Sequence, residues 1–315
     1  MWKWTIDAAR SLPKRPWQAR GLQSKAQQLT SRAVIRVSGP DAGPFLQGLM
    51  TNDIRHVEEE NVQSMYCMFL NNQGRILYDA LIYRGLSPGD FLVECDDECQ
   101  SALLKHLTMY RIRKKVSVSP GSDLGVWALF EQPSTLKEGD FIVTRDPRMK
   151  ELGWRVVGCK NLLNETLSSI HEDEYSRLRY SLGVGEGARD LPPGTSFPLE
   201  CNCDYLHGVS FHKGCYLGQE LTARTYHTGV IRKRLMPLTF ASPPEDLSVG
   251  NPVHDEKGSK IGKLRALTPG SVYGLGLLRI QQALSAVKLT VESSPVRTHR
   301  PSWWPIEAPK DRSQL

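Results

Sequence analysis

The stretch HKGCYLGQELTARTYHTG, residues 212–229, sets one cysteine among residue types that favour reactive sulfur. Cys215 follows Lys213 and Gly214 and precedes Tyr216, Gly218, Gln219 and Glu220. A helix is expected to start near Leu217. A helix N-terminus and a neighbouring ammonium both favour thiolate over thiol. A thiolate is what a nucleophile or a soft-metal ligand requires. Gly214 and Gly218 remove side chains on either side, so a backbone, a ligand or a partner can approach. The alternative is a small apolar cysteine buried at a tight turn.

Other constellations are weaker. Cys201, Cys203 and Cys215 with His207 or His212 would number enough for zinc, but the spacing matches no common zinc module. Cys201 and Cys203 are read as ordinary loop thiols. No Ser-His-Asp or Cys-His-Asn order stands out, and His227 lies twelve residues beyond Cys215, at the far end of the expected helix. "GLGLL" (274–278) sits among strands and lacks the helix a phosphate loop needs. Asp79, between Tyr78 and Ala80, is either a partly buried functional carboxylate or the solvent-facing residue of a strand. Arg224, Arg232, Lys233 and Arg234 form a local basic cluster, read as a charged barrel edge, with RNA contact as its rival reading.

These residues need a frame. "RAVIRVSGP" (32–40) reads as a strand, with Asp41 capping a short helix in which Pro44 occupies the first turn. Two apolar runs over 62–85 flank Asn71–Gly74, a hairpin signal. Residues 90–96 form a further strand. Leu103, Leu104, Leu107 and Tyr110 are on helical spacing over 98–113, where the last turn is basic. Three more strands lie in 122–158, the last two joined by an Asp-Pro turn, and 172–184 reads as a helix. The sequence 185–216 is a long loop rich in Gly, Pro, Cys and Asn, and loops of that length inside a domain usually carry function. From Val230, short strands between turn residues predict a small antiparallel barrel of about 65 residues. Sequential hairpins point to a mixed α+β fold with antiparallel sheets.

The chain has 315 residues, 40% hydrophobic and 23% charged. That length predicts two or three cores. No apolar run approaches the ~20 residues that cross a bilayer, so no membrane insertion is expected. The net charge is +6. Eight of the 40 Lys and Arg but one of the 34 acids fall in residues 1–36, so the remainder carries 32 basic and 33 acidic groups. A near-neutral body argues against general binding of nucleic acid, which needs a basic face. The segment "MWKWTIDAARSLPKR" is basic, almost free of acid and amphipathic, as in a mitochondrial transit peptide; a disordered basic arm is the alternative. Seven cysteines at irregular spacing resemble no secreted disulfide framework and suit a reducing compartment.

The Lys-Gly-Cys-Tyr-x-Gly-Gln-Glu run resembles the signature of the folate-binding YgfZ group. "FLQGLMTNDI" (45–54), "NNQGRILYD" (71–79), "LRYSLGV" (178–184) and "FPLE" (197–200) resemble blocks of the wider aminomethyltransferase, or glycine-cleavage T-protein, superfamily. The likeness keeps its order over residues 30–295. With the transit-like N-terminus it resembles the mitochondrial iron–sulfur cluster assembly branch of that group. The resemblance implies a three-domain T-protein-like ring: a transit peptide or arm (1–30), two interleaved α+β domains (31–229), a C-terminal barrel (230–297) and a tail (298–315). It implies a cavity for tetrahydrofolate, with Glu200 as the carboxylate that holds the pterin and Asp79 beside it. A carboxylate suits the pterin edge because it accepts two N–H bonds. Tyr78 stands where the enzymes carry the first of two aspartates, which weakens the expectation of aminomethyl transfer. For the assembly branch it implies late maturation of [4Fe–4S] proteins in the mitochondrial matrix. Cys215 would share a [2Fe–2S] cluster with an A-type scaffold partner, and Lys213, Gln219 and Glu220 would stand around it. A tetrahydrofolate-dependent one-carbon transferase and a tRNA-modification factor are the alternatives.

Overall fold

The computed structural model describes residues 26–305, apart from 60, 61, 86, 88, 133–135, 137–140 and 168–172. β1 (Ala26–Gln28) belongs to one sheet and β2 (Arg32–Ser38) to another. α1 (Ala42–Gln47) and α2 (Arg55–Glu58) lead to β3 (Ser64–Leu70), which turns at Asn71–Gly74 into β4 (Ile76–Arg84). β5 (Phe91–Asp96), α3 (Gln100–Arg111) and β6 (Ser117–Pro120) complete a five-stranded sheet of order β3-β4-β5-β2-β6. β7 (Leu124–Leu129), β8 (Phe141–Arg145) and β9 (Trp154–Cys159) join β1 in a four-stranded sheet, β1-β7-β9-β8. The chain thus enters the second sheet, builds the first and returns. All pairings are antiparallel.

α4 (Lys160–Thr166), α5 (Glu174–Leu182) and α6 (Gly187–Asp190) follow, then the long loop and α7 (Gln219–Thr228). β10 (Lys233–Phe240), β11 (Pro252–Asp255), β12 (Lys260–Leu267), β13 (Tyr273–Arg279), α8 (Ile280–Ser285), β14 (Leu289–Val291) and β15 (Ser294–Thr298) form the last unit. Its strands close as β10-β13-β12-β11-β14-β15. The mixed antiparallel sheets and the C-terminal barrel agree with the fold expected from sequence.

Period two explains how one sheet serves two cores. In β3, Tyr66, Met68 and Leu70 join a central cluster, while Met65, Cys67 and Phe69 face a second one with Phe45, Leu46 and Leu103. The central cluster also takes Val126 and Val157 from the four-stranded sheet and Leu235 and Leu277 from the outer wall of the barrel. The barrel fills its own interior with Met236, Leu238, Phe240, Leu264 and Leu278.

Three expectations change. The arm assigned to residues 1–30 ends sooner: Ala26 is fully buried and pairs with Leu129, and Gln27 Oε1 accepts from Tyr175 N at 2.7 Å. The transit reading of residues 1–25 lies outside the described residues. Asp41 does not cap its helix through its side chain; Oδ2 accepts from Lys115 N at 2.7 Å instead. The start of the presumed tail is packed: Trp304 is buried against the barrel, and Trp303 Nε1 donates to Leu182 O at 2.7 Å. Two adjacent tryptophans carry more apolar area than a solvated tail would leave in water.

Candidate functional site

The cysteine loop is laced onto the turn that follows α1. Thr51 Oγ1 donates to Gly208 O at 2.6 Å, Ser210 N to Thr51 O at 3.0 Å and Leu217 N to Gly48 O at 3.0 Å. Lys213 Nζ donates to Gln47 O, Met50 O and Asn52 O, each at 2.7 Å. The ammonium also lies 5.0 Å from the Tyr216 ring centroid, over its face. Burial pushes Lys213 down to about 8, against the pull of Cys67 and Asp53. Lys213, expected to stand around the sulfur, is therefore an anchor whose three N–H bonds go to backbone.

Cys215 is exposed between these anchors. Gly214 has open space where a Cβ would stand. α7 begins at Gln219 rather than Leu217, so Cys215 sits four positions ahead of the first helical residue. Gln219 folds back, its Oε1 accepting from Tyr216 N at 3.1 Å, and Tyr216 is buried. Glu220 is 89% exposed and 3.7 Å from Arg224, as a solvated helix residue would be. Gly218, at φ +77°, is where close approach is real: a Cβ there would come within 2.2 Å of Asn71 O. The hairpin turn Asn71–Gly74 thus rests on the N-terminus of α7.

Cys201 and Cys203 are free thiols buried within the loop, and burial pushes Cys201 up to about 12. Among the described residues no group of three or more His, Cys, Asp or Glu is placed to hold a metal. His227 packs on the parallel Phe211–Tyr226 ring stack, whose centroids are 3.6 Å apart.

Glu200 is half-buried in a cleft of about 370 Å³ whose other walls are Phe197–Leu199, Leu221, Thr222, Thr225 and Val230–Lys233. Leu235 N donates to Glu200 O at 2.8 Å, which fixes the loop to β10. Burial raises the Glu200 carboxyl, and the nearby Lys233, Arg265, Lys263 and Arg75 hold it down. A carboxylate in a largely apolar cleft fits the pterin-holding role. Asp79 does not line this cleft. It is 3% exposed, so it is not the solvent-facing residue of β4. Its Oδ1 accepts from Gly187 N at 3.0 Å and its Oδ2 is 3.6 Å from Arg32. Burial raises its carboxyl and Arg32 opposes that. Of the two carboxylates expected in a folate cavity, Glu200 lines this cleft and Asp79 lies in a buried ion pair outside it.

Asp79 belongs to a buried ionic network that sequence reading did not find. Arg32 Nε donates to Glu94 at 2.7 Å, and Tyr83 OH donates to the other Glu94 oxygen. Arg155 and Arg148 converge on Glu186 at 2.5 and 2.7 Å, Arg148 holds Asp146 at 2.6 Å, and Arg179 holds Asp190 at 2.6 Å. In the sequence Arg32 and Glu94 are charges interrupting apolar strands, and Asp79 is a candidate carboxylate with no visible partner. The basic cluster of the sequence also changes: Arg234 is 1% exposed, paired with Asp204 at 2.7 Å and bonded to Leu199 O. It holds the Glu200 loop.

Comparison with known proteins follows the same division. Residues 27–127 match the GCVT N-terminal domain family and residues 232–306 the CAF17 C-terminal beta-barrel domain family. The mouse (Mus musculus) "Iron-sulfur cluster assembly factor IBA57, mitochondrial" is 41% identical over 311 residues, covering 89% of this chain and 86% of that protein. Its human (Homo sapiens) counterpart is 40% identical over 306 residues, covering 88% and 85%. A Mycosarcoma maydis protein named as its homolog is 32% identical over 354 residues, covering 92% and 87%. A glycine cleavage system aminomethyltransferase T from Bartonella henselae superposes with a TM-score of 0.71 at 16% identity, over 89% of this chain and 86% of that one. This last likeness concerns the fold.

Proposed function

This chain belongs to the mitochondrial IBA57 family of iron–sulfur cluster assembly factors, and from that premise we propose that it presents Cys215 as one ligand of a [2Fe–2S] cluster shared with a second protein. The observation that carries the reading is an exposed cysteine on a loop tied down on both sides. A [2Fe–2S] cluster takes four protein ligands, usually thiolates. Among the described residues no set of three or more His, Cys, Asp or Glu is gathered that could hold a metal, so the ligands that complete the cluster are assigned to the partner. As the sulfur binds iron, its proton leaves to solvent. The cluster is cargo, held only until it is passed on.

The partner is an A-type scaffold protein, the step is late in the maturation of [4Fe–4S] proteins, and the compartment is the mitochondrial matrix. The relatives' names support mitochondrion and cluster assembly. Presentation rather than turnover suits the geometry: Asp79, the carboxylate expected to take part in one-carbon transfer, is held by Arg32 and Gly187 N. A tetrahydrofolate bound in the neighbouring cleft would be held by Glu200, and the cluster reading does not depend on it.

The test is anaerobic mixing of the chain with an A-type protein and a [2Fe–2S] source, followed by absorption spectra and sizing. Wild type forms a coloured heterocomplex and Cys215→Ala does not. Replacing an exposed side chain leaves stability within about 0.5 kcal/mol, so a loss reports ligation. A variant that forms the complex as well as wild type ends the reading.

A further inference from the structure

The end of α3 breaks a backbone rule. Ile112 caps the helix at φ +47° and ψ −107°. Among the described residues it is the one β-branched residue at positive φ. Helices that end on a positive φ usually do so on glycine, sometimes on asparagine, because a branched side chain is strained there. Strain persists where something gains from it. The fold gains little from this side chain: Ile112 is 81% exposed, and Met109, one helical turn back, is 63% exposed. The turn itself is held by backbone, Lys114 N donating to Arg111 O at 2.9 Å and Val116 N to Lys114 O at 3.0 Å. What the isoleucine touches lies outside the chain.

The same tip concentrates positive charge. From Gln100 to Ser122 the sequence carries Lys105, Arg111, Arg113, Lys114 and Lys115 and no acidic residue. All five are exposed. Arg111 Nη1 also donates to Val116 O at 3.4 Å. α3 lies against β2 and β6, and Arg36 of β2 is already spent on Asp123 at 2.7 Å. Asp41 bonds the turn through the backbone N–H of Lys115, not through its ammonium. Among the described residues the exposed ion pairs lie elsewhere, as at Arg177–Glu174 and Arg224–Glu220. The chain beyond residue 36 is near neutral, so this excess is local and unanswered.

We propose that the α3 tip is a contact surface for an anionic lipid bilayer: Ile112 and Met109 enter its interface, and Arg113, Lys114 and Lys115 meet its phosphates. Apolar side chains set among cations suit that surface. Two of them are too few for the buried centre of a protein interface, a region from which lysine is depleted. The contact is peripheral: among the described residues no helix is long and apolar enough to cross a membrane. The proposal rests on the tip and on none of the cluster chemistry.

The experiment is co-sedimentation of the purified full chain with vesicles of phosphatidylcholine and phosphatidylglycerol in equal parts, and with vesicles of phosphatidylcholine alone. The chain should sediment with the anionic vesicles only, and sodium chloride should release it. Each basic residue near an anionic surface is worth about fivefold in partition, so Lys114→Gln with Lys115→Gln should weaken it about 25-fold. Ile112→Gly removes the apolar contact and the strain together. It should weaken partition about fivefold or more, with a melting temperature no lower than that of wild type. The basic segment 1–15 is a second candidate for the same lipid, so Lys3→Gln, Lys14→Gln and Arg15→Gln are combined in a parallel variant, which should keep the binding that the tip variants lose. Four results overturn the proposal: no binding to anionic vesicles, tip variants that bind as wild type does, loss in the N-terminal variant alone, or a lower melting temperature for Ile112→Gly, which would give that side chain a role inside the fold. Capture of the chain by polyglutamate without vesicle binding would assign the tip to an acidic protein and overturn it too. Cys215→Ala should bind the vesicles as wild type does, so failure here and failure of the cluster reading are separate results.

Discussion

Lys213 Nζ meets three carbonyls at 2.7 Å, and those carbonyls belong to the turn at the end of α1. Two residues on, Cys215 is exposed on a loop that its neighbour fixes. Removing the ammonium leaves buried acceptors unmet, so Lys213→Met should lose about 1–3 kcal/mol in urea unfolding. The pH dependence has a definite sign. Burial depresses Lys213 in the fold to about 8, while the unfolded chain has an ordinary lysine. Between those values the unfolded state binds more protons, so this lysine's contribution to stability grows as pH rises. The groups facing it are Cys67 from β3, Asp53 ahead of α2, Arg55 at its start, and the Tyr216 ring. The stability gap between wild type and Lys213→Met should widen from pH 8 towards pH 10; a constant gap would remove the ammonium from the account.

At the scale of elements, the hairpin turn and α7 hold each other. Gly74, at φ +75°, would place a Cβ 2.9 Å from Leu221 Cβ, and Gly218, at φ +77°, would place one 2.2 Å from Asn71 O. Neither position admits a side chain without moving backbone. Gly218→Ala combines left-handed strain with that clash, so it should cost at least about 1–3 kcal/mol by chemical denaturation. Gly214→Ala, with open space around it, should cost only a few tenths. Similar losses for the two would mean that the hairpin does not rest on the loop. Sequence reading placed Gly74 in the hairpin turn, because glycine punctuates chain direction, and Gly218 beside the sulfur in a helix expected to start near Leu217. It could not say which backbone comes close, since Asn71 is remote in sequence.

Across the whole molecule, two sheets and a barrel share one central cluster, and the buried ionic network stands beside it. Arg155 from β9 reaches Glu186 at 2.5 Å and lies 3.6 Å from Glu94 of the other sheet. The network therefore ties the four-stranded sheet to the five-stranded one and to the loop before α6. Taking out one member strands the others without a counter-charge. Arg155→Met should cost about 3–5 kcal/mol, read as a fall in the denaturation midpoint of the entire chain. A local loss confined to the four-stranded sheet would show that the sheets unfold separately.

The sequence by itself determined the hairpin over 62–85, the helix of α3, the strands of the barrel and the place of Cys215 in a conspicuous loop. Each is local: period two, period 3.6, turn residues and residue type are all written within a few positions. Only the tertiary structure decided that Lys213 serves the backbone, that Asp79 and Arg234 are buried and paired, and that Ala26 already belongs to a sheet. Those outcomes turn on which distant groups share a buried volume. Burial cost and pairing are properties of that volume, and no short stretch of chain contains it.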